Sequence, residues 1–325
     1  MNKPLVTVFG GSGFLGRHTV RALAKAGYRI RVAVRRPNNA NYLPPMGTVG
    51  QIQLVKCDAV DAAQAGDALR GAEAAINLTG ILYQRGAQSF RAVHVEAAGN
   101  IASAARAADL RTLVHVSAIG ADADAASRYA SSKGEGEARV REAFGDAAIL
   151  RPSLLFGPED DFFNKFAWIA RLSPVLPLIG GGHTRFQPVF VGDAANAILR
   201  CVEDSSTRAK TYELGGPAVY SFKELLQIML HETGRGRLLV PVPFFLASIK
   251  AFFLQMSKIV GVAPLLTPDQ VTLLRSDNVV SAGALTLADL GIAPDSLEAI
   301  LPSYLWRFRA KGQYQTAPSA TPAPR

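Results

Sequence analysis

Val6-Thr-Val-Phe-Gly-Gly-Ser-Gly-Phe-Leu-Gly16 is the stretch whose reading decides the fold. Leu5 to Phe9 predicts a buried strand, the glycines predict a tight turn, and Thr19 to Ala26 carries apolar residues at helical spacing. Gly10, Gly13 and Gly16 stand three apart. In a strand–turn–helix unit the first permits the turn, the second lets the backbone approach a pyrophosphate, and the third lets the helix lie close to the strand. The helix N-terminus then offers unpaired N–H groups and a favourable dipole to an anion. A dinucleotide site is therefore expected on Gly10, Gly11, Ser12, Gly13, Phe14, Leu15 and Gly16.

The same rhythm continues downstream. Tyr28 to Val34 predicts a second strand, which ends in Arg35-Arg36-Pro37. An acidic residue at this junction would accept hydrogen bonds from a ribose 2′-hydroxyl, whereas arginine accommodates a 2′-phosphate. Arg35 and Arg36 therefore point to NADPH/NADP+, the plainer alternative being two solvated charges at a strand end. Gln51 to Val55 predicts a third strand, followed by Cys57-Asp58, where Asp58 can cap the next short helix. Ala74 to Leu78 predicts a fourth strand, running into Asn77-Leu-Thr-Gly80. Helical spacing follows from Phe90 to Ala108, then strands at Thr112 to Val116 and Ala148 to Leu150. Alternating strands and helices predict an α/β protein with a Rossmann-type doubly wound parallel sheet and its ligand at the carboxyl edges of the strands.

Ser117 closes the fifth strand, and twelve residues later stands Tyr129-Ala-Ser-Ser-Lys133. A tyrosine and a lysine four apart share one helix face, so the ammonium can lower the phenol's pKa and hold a ribose, while Ser117 orients a carbonyl or hydroxyl. Ser117, Tyr129 and Lys133 are the candidate catalytic residues, either working or retained as a relic. A solvated helix face is the plainer reading of Tyr129 and Lys133.

The chain has 325 residues, enough for one large α/β domain or two intertwined lobes. With 49% hydrophobic and 19% charged residues it is globular in composition, and no apolar run approaches the roughly 20 residues that span a bilayer. Two cysteines, Cys57 and Cys201, argue against a disulfide framework and for a reducing cytoplasm. Met1-Asn-Lys-Pro leads directly into the first strand, so no cleavable signal is expected. The net charge of +9 favours acidic partners, but the basic residues are scattered without interleaved aromatics, and nucleic acid is not expected.

Past Arg151-Pro-Ser-Leu-Leu-Phe-Gly-Pro158 the pattern becomes irregular. Short strands are expected at Leu176 to Gly182, Gln187 to Val191 and Tyr212 to Gly215. Asp193 is expected to cap a helix over Ala194 to Glu203, and Ser221 one over Phe222 to Glu232. Pro243 to Met256 is rich in phenylalanine. It suits a helix packed into a small lobe, or an amphipathic helix on a membrane surface or partner subunit with Lys250 and Lys258 reaching toward headgroups. Thr267-Pro-Asp-Gln270 and Thr286 to Gly291 predict further helices, and Gln313 to Arg325 a disordered tail.

These motifs together resemble an atypical short-chain dehydrogenase/reductase family, the one that includes the NADPH-binding accessory subunit of respiratory complex I (alpha subcomplex subunit 9). The resemblance rests on Gly10 to Gly16, Asn77 to Gly80, Val114-His-Val-Ser117, Ser127 to Lys133 with Gly136-Glu137, Phe156-Gly157, Gln187 to Val191 with Asp193, the segment from Val240, and Thr267 to Gln270. It covers nearly the whole chain to about residue 310. It implies an extended short-chain dehydrogenase fold with an NADP(H)-binding Rossmann domain over 1–155, return segments near 185–202, and a smaller, intertwined C-terminal lobe over 156–312. It also implies cofactor contacts from Asp58 and Ala59 near the adenine, from Leu78, Thr79 and Gly80 beside the nicotinamide ribose, and from Pro152 and Ser153. The implied partners are peripheral-arm and membrane-interface subunits of complex I, with an anionic lipid surface met through 240–262. Lacking an organelle-targeting extension, the chain resembles a bacterial form, cytoplasmic and peripheral on the inner face of the cytoplasmic membrane. A free-standing NADPH-dependent reductase or epimerase acting on an apolar carbonyl or quinone-related substrate is the alternative.

Overall fold

Residues 3–254 and 266–314 are described by a computed structural model. Its strands are Leu5–Phe9 (β1), Arg29–Val34 (β2), Ile52–Lys56 (β3), Ala74–Asn77 (β4), Thr112–Val116 (β5), Ala148–Pro152 (β6), Leu155–Phe156 (β7), Val175–Ile179 (β8), Arg185–Phe186 (β9), Val189–Phe190 (β10), Thr211–Leu214 (β11), Tyr220–Ser221 (β12) and Leu238–Val242 (β13). The helices are Phe14–Lys25 (α1), Ala62–Leu69 (α2), Ala97–Ala107 (α3), Arg128–Ala143 (α4), Phe163–Leu172 (α5), Val191–Glu203 (α6), Phe222–Glu232 (α7), Phe244–Leu254 (α8), Pro268–Leu273 (α9), Leu297–Ile300 (α10) and Pro302–Leu305 (α11).

Seven strands form one sheet in the order β3-β2-β1-β4-β5-β6-β11, every neighbouring pair parallel. The chain crosses from β3 over β1 to β4, so the order reverses between β1 and β4, which is where a doubly wound sheet opens a crevice for a ligand. The alternation of strand and helix in the sequence is thus realised as a Rossmann-type sheet. Helix α1 packs on α6, while α2, α3 and α4 pack in series. The alanines of α3 (Ala97, Ala98, Ala102, Ala105) are almost wholly buried and let that helix approach Phe9, Leu69 and Leu113 closely.

The chain divides into two compact units. The first comprises residues up to Ser153, Val191–Gly215 and Val280–Ala293; the second comprises Leu154–Phe190, Gly216–Val279 and the residues from Pro294. Segment 280–293, expected in the smaller lobe, lies in the first unit because it is tied to β11: Glu213 donates its N–H to Leu285 O, and Ser281 N–H donates to the Glu213 carboxylate. The second unit has its own core, in which Phe156, Phe163, Phe222, Leu225, Met229, Leu301 and Tyr304 are buried and several rings meet edge to face.

Local expectations are corrected at three places. The cap of α2 is Asp61, whose Oδ1 accepts from Ala63 N and Gln64 N, and not Asp58. Helix α6 begins at Val191, so Asp193 is a buried residue of its first turn and no cap. The helix expected over Phe90 to Ala108 opens with a π-helical segment, Arg91–Glu96, before α3. Ser221 and Thr267 do close capping boxes on α7 and α9. Residues 255–265, with Lys258, and the tail from 315 lie outside the described residues.

Candidate functional site

The glycine turn is built so that no side chain stands between strand and helix. Gly10 has φ +76°, and a Cβ there would lie 2.9 Å from Leu78 C and O, so the end of β1 meets the end of β4 at the reversal of strand order. A Cβ on Gly16 would fall 2.4 Å from Gly10 O, and one on Gly11 2.5 Å from a Val32 methyl. Gly13 is the N-cap of α1. No side chain caps that helix and no acidic residue occupies its first turn, which leaves its N-terminal dipole available to an anion. Ser12 O is taken by the Tyr42 hydroxyl at 2.6 Å, and Arg17 lies over the Tyr42 ring, 5.0 Å from its centroid. The cradle therefore fits a pyrophosphate-bearing dinucleotide.

The outer candidate residues are placed as follows. Arg35 and Arg36 follow β2 and are exposed. Asp58 stands just past β3 and accepts from Val60 N, and Ala59 is buried with its carbonyl bound by the Asn100 amide. Pro152 O accepts from Ile119 N, and the buried Ser153 donates its N–H to Leu214 O.

Under the sheet's carboxyl edge lies a buried polar cluster. Asn77 Oδ1 accepts from Thr79 N at 3.0 Å and from Thr79 Oγ1 at 2.6 Å, which shapes the turn Leu78–Thr79–Gly80. Its amide nitrogen faces His115 Nδ1 at 3.1 Å and donates there, so the His115 proton sits on Nε2, a buried atom with no hydrogen-bond partner among the described residues. Ser117 Oγ is likewise buried and unpartnered. Lys133 is buried and donates to Val116 O at 3.2 Å. Desolvation lowers its pKa to about 8, against the opposing pull of Glu137, and the same burial together with Lys133 brings His115 down to about 3.

Tyr129 and Lys133 do share α4, but one part of the expectation differs. The Tyr129 phenol is not lowered: desolvation pushes it up to about 12, and Lys133 is not among the causes. The unpartnered Ser117 Oγ is a hydroxyl that a bound carbonyl or hydroxyl could engage. A bound nicotinamide would supply hydride chemistry here, while these residues would hold the ribose and deliver or withhold the phenolic proton.

Residues 6–215 match the NAD dependent epimerase/dehydratase family. The chain belongs to that family. It is 34% identical to the NADH dehydrogenase [ubiquinone] 1 alpha subcomplex subunit 9, mitochondrial, of Arabidopsis thaliana, over 95% of this chain and 79% of that one. It is 29% identical to the NADH-ubiquinone oxidoreductase 40 kDa subunit of Neurospora crassa, over 96% and 82%. The ceramide reductase of Caulobacter vibrioides is 34% identical over 74% of each chain. Among solved structures, a UDP-glucose 4-epimerase from Thermotoga maritima superposes with TM-score 0.71 over 94% of this chain and 98% of that one, at 16% identity, which establishes the epimerase/dehydratase fold alone.

Of His94, Asn77, Arg17 and Tyr42, only Asn77 falls inside a segment that the sequence marks as part of the site, and His94 lies in a stretch that reads simply as helix. Adjacency to Gly16 is the one signal that could mark Arg17. Tyr42 lies in the irregular stretch after β2, and nothing in local periodicity marks its reach back to Ser12.

Proposed function

We propose that the chain is an NADPH-binding accessory or assembly subunit of a complex I-type NADH:quinone oxidoreductase, holding its dinucleotide as part of the fold. The observation that carries this reading is the preformed glycine cradle, in which Gly10, Gly11 and Gly16 leave no room for a side chain; Ser117, Tyr129 and Lys133 can be retained beside it to hold the ribose without turnover. The subunit 9 relatives, alike over nearly the whole chain, support it. A cofactor bound by the native state alone stabilises it by mass action without turnover. Exposed Arg35 and Arg36 at the end of β2 favour NADPH over NADH.

The second unit supports a peripheral seat on the inner face of a bacterial cytoplasmic membrane. Helix α8 packs its small residues inward, with Ala247 and Ala251 against Ile179 and Val271, and turns Phe245, Leu246, Ile249 and Phe252 outward. Trp168, Leu172, Val175 and Leu238 are also exposed on α5, β8 and β13. Residues 162–192 and 233–268 contain no Asp or Glu but carry Lys165, Arg171, Arg185, Arg235, Arg237, Lys250 and Lys258, of which Arg185 is paired with Asp277. An apolar surface among basic residues suits an anionic lipid surface. Among the described residues no helix is long and apolar enough to cross a membrane.

The test is gentle detergent extraction of the native protein, with its partners and released nucleotide identified by mass spectrometry. Complex I subunits with near-stoichiometric NADPH are expected; a lone protein with freely exchanging nucleotide would sink the proposal. The ceramide reductase relative favours a second reading, an NADPH-dependent reductase of an apolar carbonyl compound. On that reading Tyr129→Phe abolishes turnover and spares NADPH binding, and unchanged turnover removes it.

A further inference from the structure

We propose that His94 is a positioning residue whose imidazole rivets the turn Leu78–Ile81 to the Tyr129–Lys133 face of α4. The proposal rests on the dinucleotide reading, in which that turn and helix hold the nicotinamide end. His94 is almost wholly buried, carried inward by the π-helical segment in which Val93, His94 and Val95 are buried in succession. Its Nε2 accepts from Ile81 N–H at 3.0 Å. The proton is therefore on Nδ1, which donates to Ser132 Oγ at 2.8 Å, and that hydroxyl donates in turn to Tyr129 O at 2.8 Å. The ring stacks on Phe90 with centroids 5.4 Å apart and meets the Tyr129 ring edge-on at 5.4 Å.

Only a neutral ring fits, since protonation at Nε2 would aim one N–H at another. Desolvation, Lys133 and His115 all act to keep it neutral. One glycine lets the parts meet around it. A Cβ on Gly136 would fall 2.1 Å from His94 O, while Gly80 lies in ordinary contact range of Lys133 Nζ and His94 Nε2. An apolar side chain could fill the same volume, but it would leave the Ile81 N–H unpaired.

His94→Gln, His94→Asn and His94→Leu separate these roles. A glutamine carbonyl reaches the Nε2 position and can take the Ile81 N–H, whereas asparagine reaches only the Nδ1 position. The readouts are hydrogen exchange of the Ile81 amide without nucleotide, and affinity for NADPH against 2′,5′-ADP, which lacks the nicotinamide half. The Asn and Leu variants are expected to lose Ile81 protection and roughly tenfold in NADPH affinity, with less than about twofold change for 2′,5′-ADP, and Gln to recover most of both. Unchanged Ile81 protection in His94→Leu, or equal weakening of both ligands, would overturn the proposal. Wild-type protein that binds neither ligand would instead remove the dinucleotide reading, while the Ile81 exchange would still decide whether His94 holds the turn.

Discussion

Single residues set the charge logic of the site. Arg35 and Arg36 are exposed at the strand end, so the double change Arg35→Asp/Arg36→Ala should weaken NADPH far more than NADH, by about 1.5–3 kcal/mol for a lost charge-assisted contact. Titration calorimetry with both nucleotides checks this, and equal losses would show that the arginines do not read the 2′-phosphate. The buried histidines make a second prediction. His94 and His115 are held down to about 2 and about 3, below their unfolded value of 6.5, chiefly by desolvation. Below pH 6.5 the unfolded chain therefore binds protons that the native state refuses, and stability falls steadily as pH drops from 6.5 toward 3. Lys133, lowered to about 8, acts in the other window: stability rises as pH climbs from about 8 to 10.5. Urea midpoints across pH should show both slopes, with the acid slope shallower in His115→Gln. Tyr129 and Lys133 were legible in the sequence because helical spacing alone brings them together. The raised phenol was not, because desolvation depends on everything packed around it.

At the scale of elements, α4 is fixed by charge on one side and by close approach on the other. Arg151 on β6 makes a two-pronged pair with Glu137 of α4, at 2.9 and 2.7 Å, and lies 3.7 Å from Glu213 of β11. Both carboxylates are buried, whereas the arginine is partly exposed. Arg151→Met strands two buried charges and should cost about 3 kcal/mol in denaturant unfolding, with the double variant Arg151→Met/Glu137→Met recovering part of it. A loss below about 1 kcal/mol would mean that solvent reaches the carboxylates. Gly136→Ala forces a methyl against His94 O and should cost about 2–3 kcal/mol by pushing α4 off the π-helical segment. The strand–helix alternation was legible because each element carries its own period. The π segment was not, since one extra residue per turn leaves the apolar pattern of 90–108 looking α-helical. Asp58 and Asp61 both suit a cap by residue type, and only the path of the chain after β3 selects Asp61.

At the scale of the whole molecule, helix α8 carries the exposed apolar surface on which the proposed membrane seat rests. Helix α8 inverts the usual economy, burying alanines at 2% exposure or less while Phe245 and Ile249 stand 62% and 53% exposed. The segment's richness in phenylalanine was evident in the sequence, but which face it presents is set by the packing of α8 on α9. Because the outward residues contribute little to the core, Phe245→Ser/Ile249→Ser should leave the thermal midpoint nearly unchanged and abolish cosedimentation with vesicles rich in anionic lipid. Lys250→Glu should weaken binding more at low than at high salt, since the Debye length shrinks from about 30 Å at 0.01 M to about 8 Å at 0.15 M. Equal binding to neutral vesicles would assign the face to apolar insertion without charge. No vesicle binding by the wild type would reject the lipid seat and leave a protein neighbour to cover the patch. In that case the same double variant should be lost from the gently extracted complex while still binding NADPH, because the cradle at β1 and β4 lies in the first unit and the patch lies in the second.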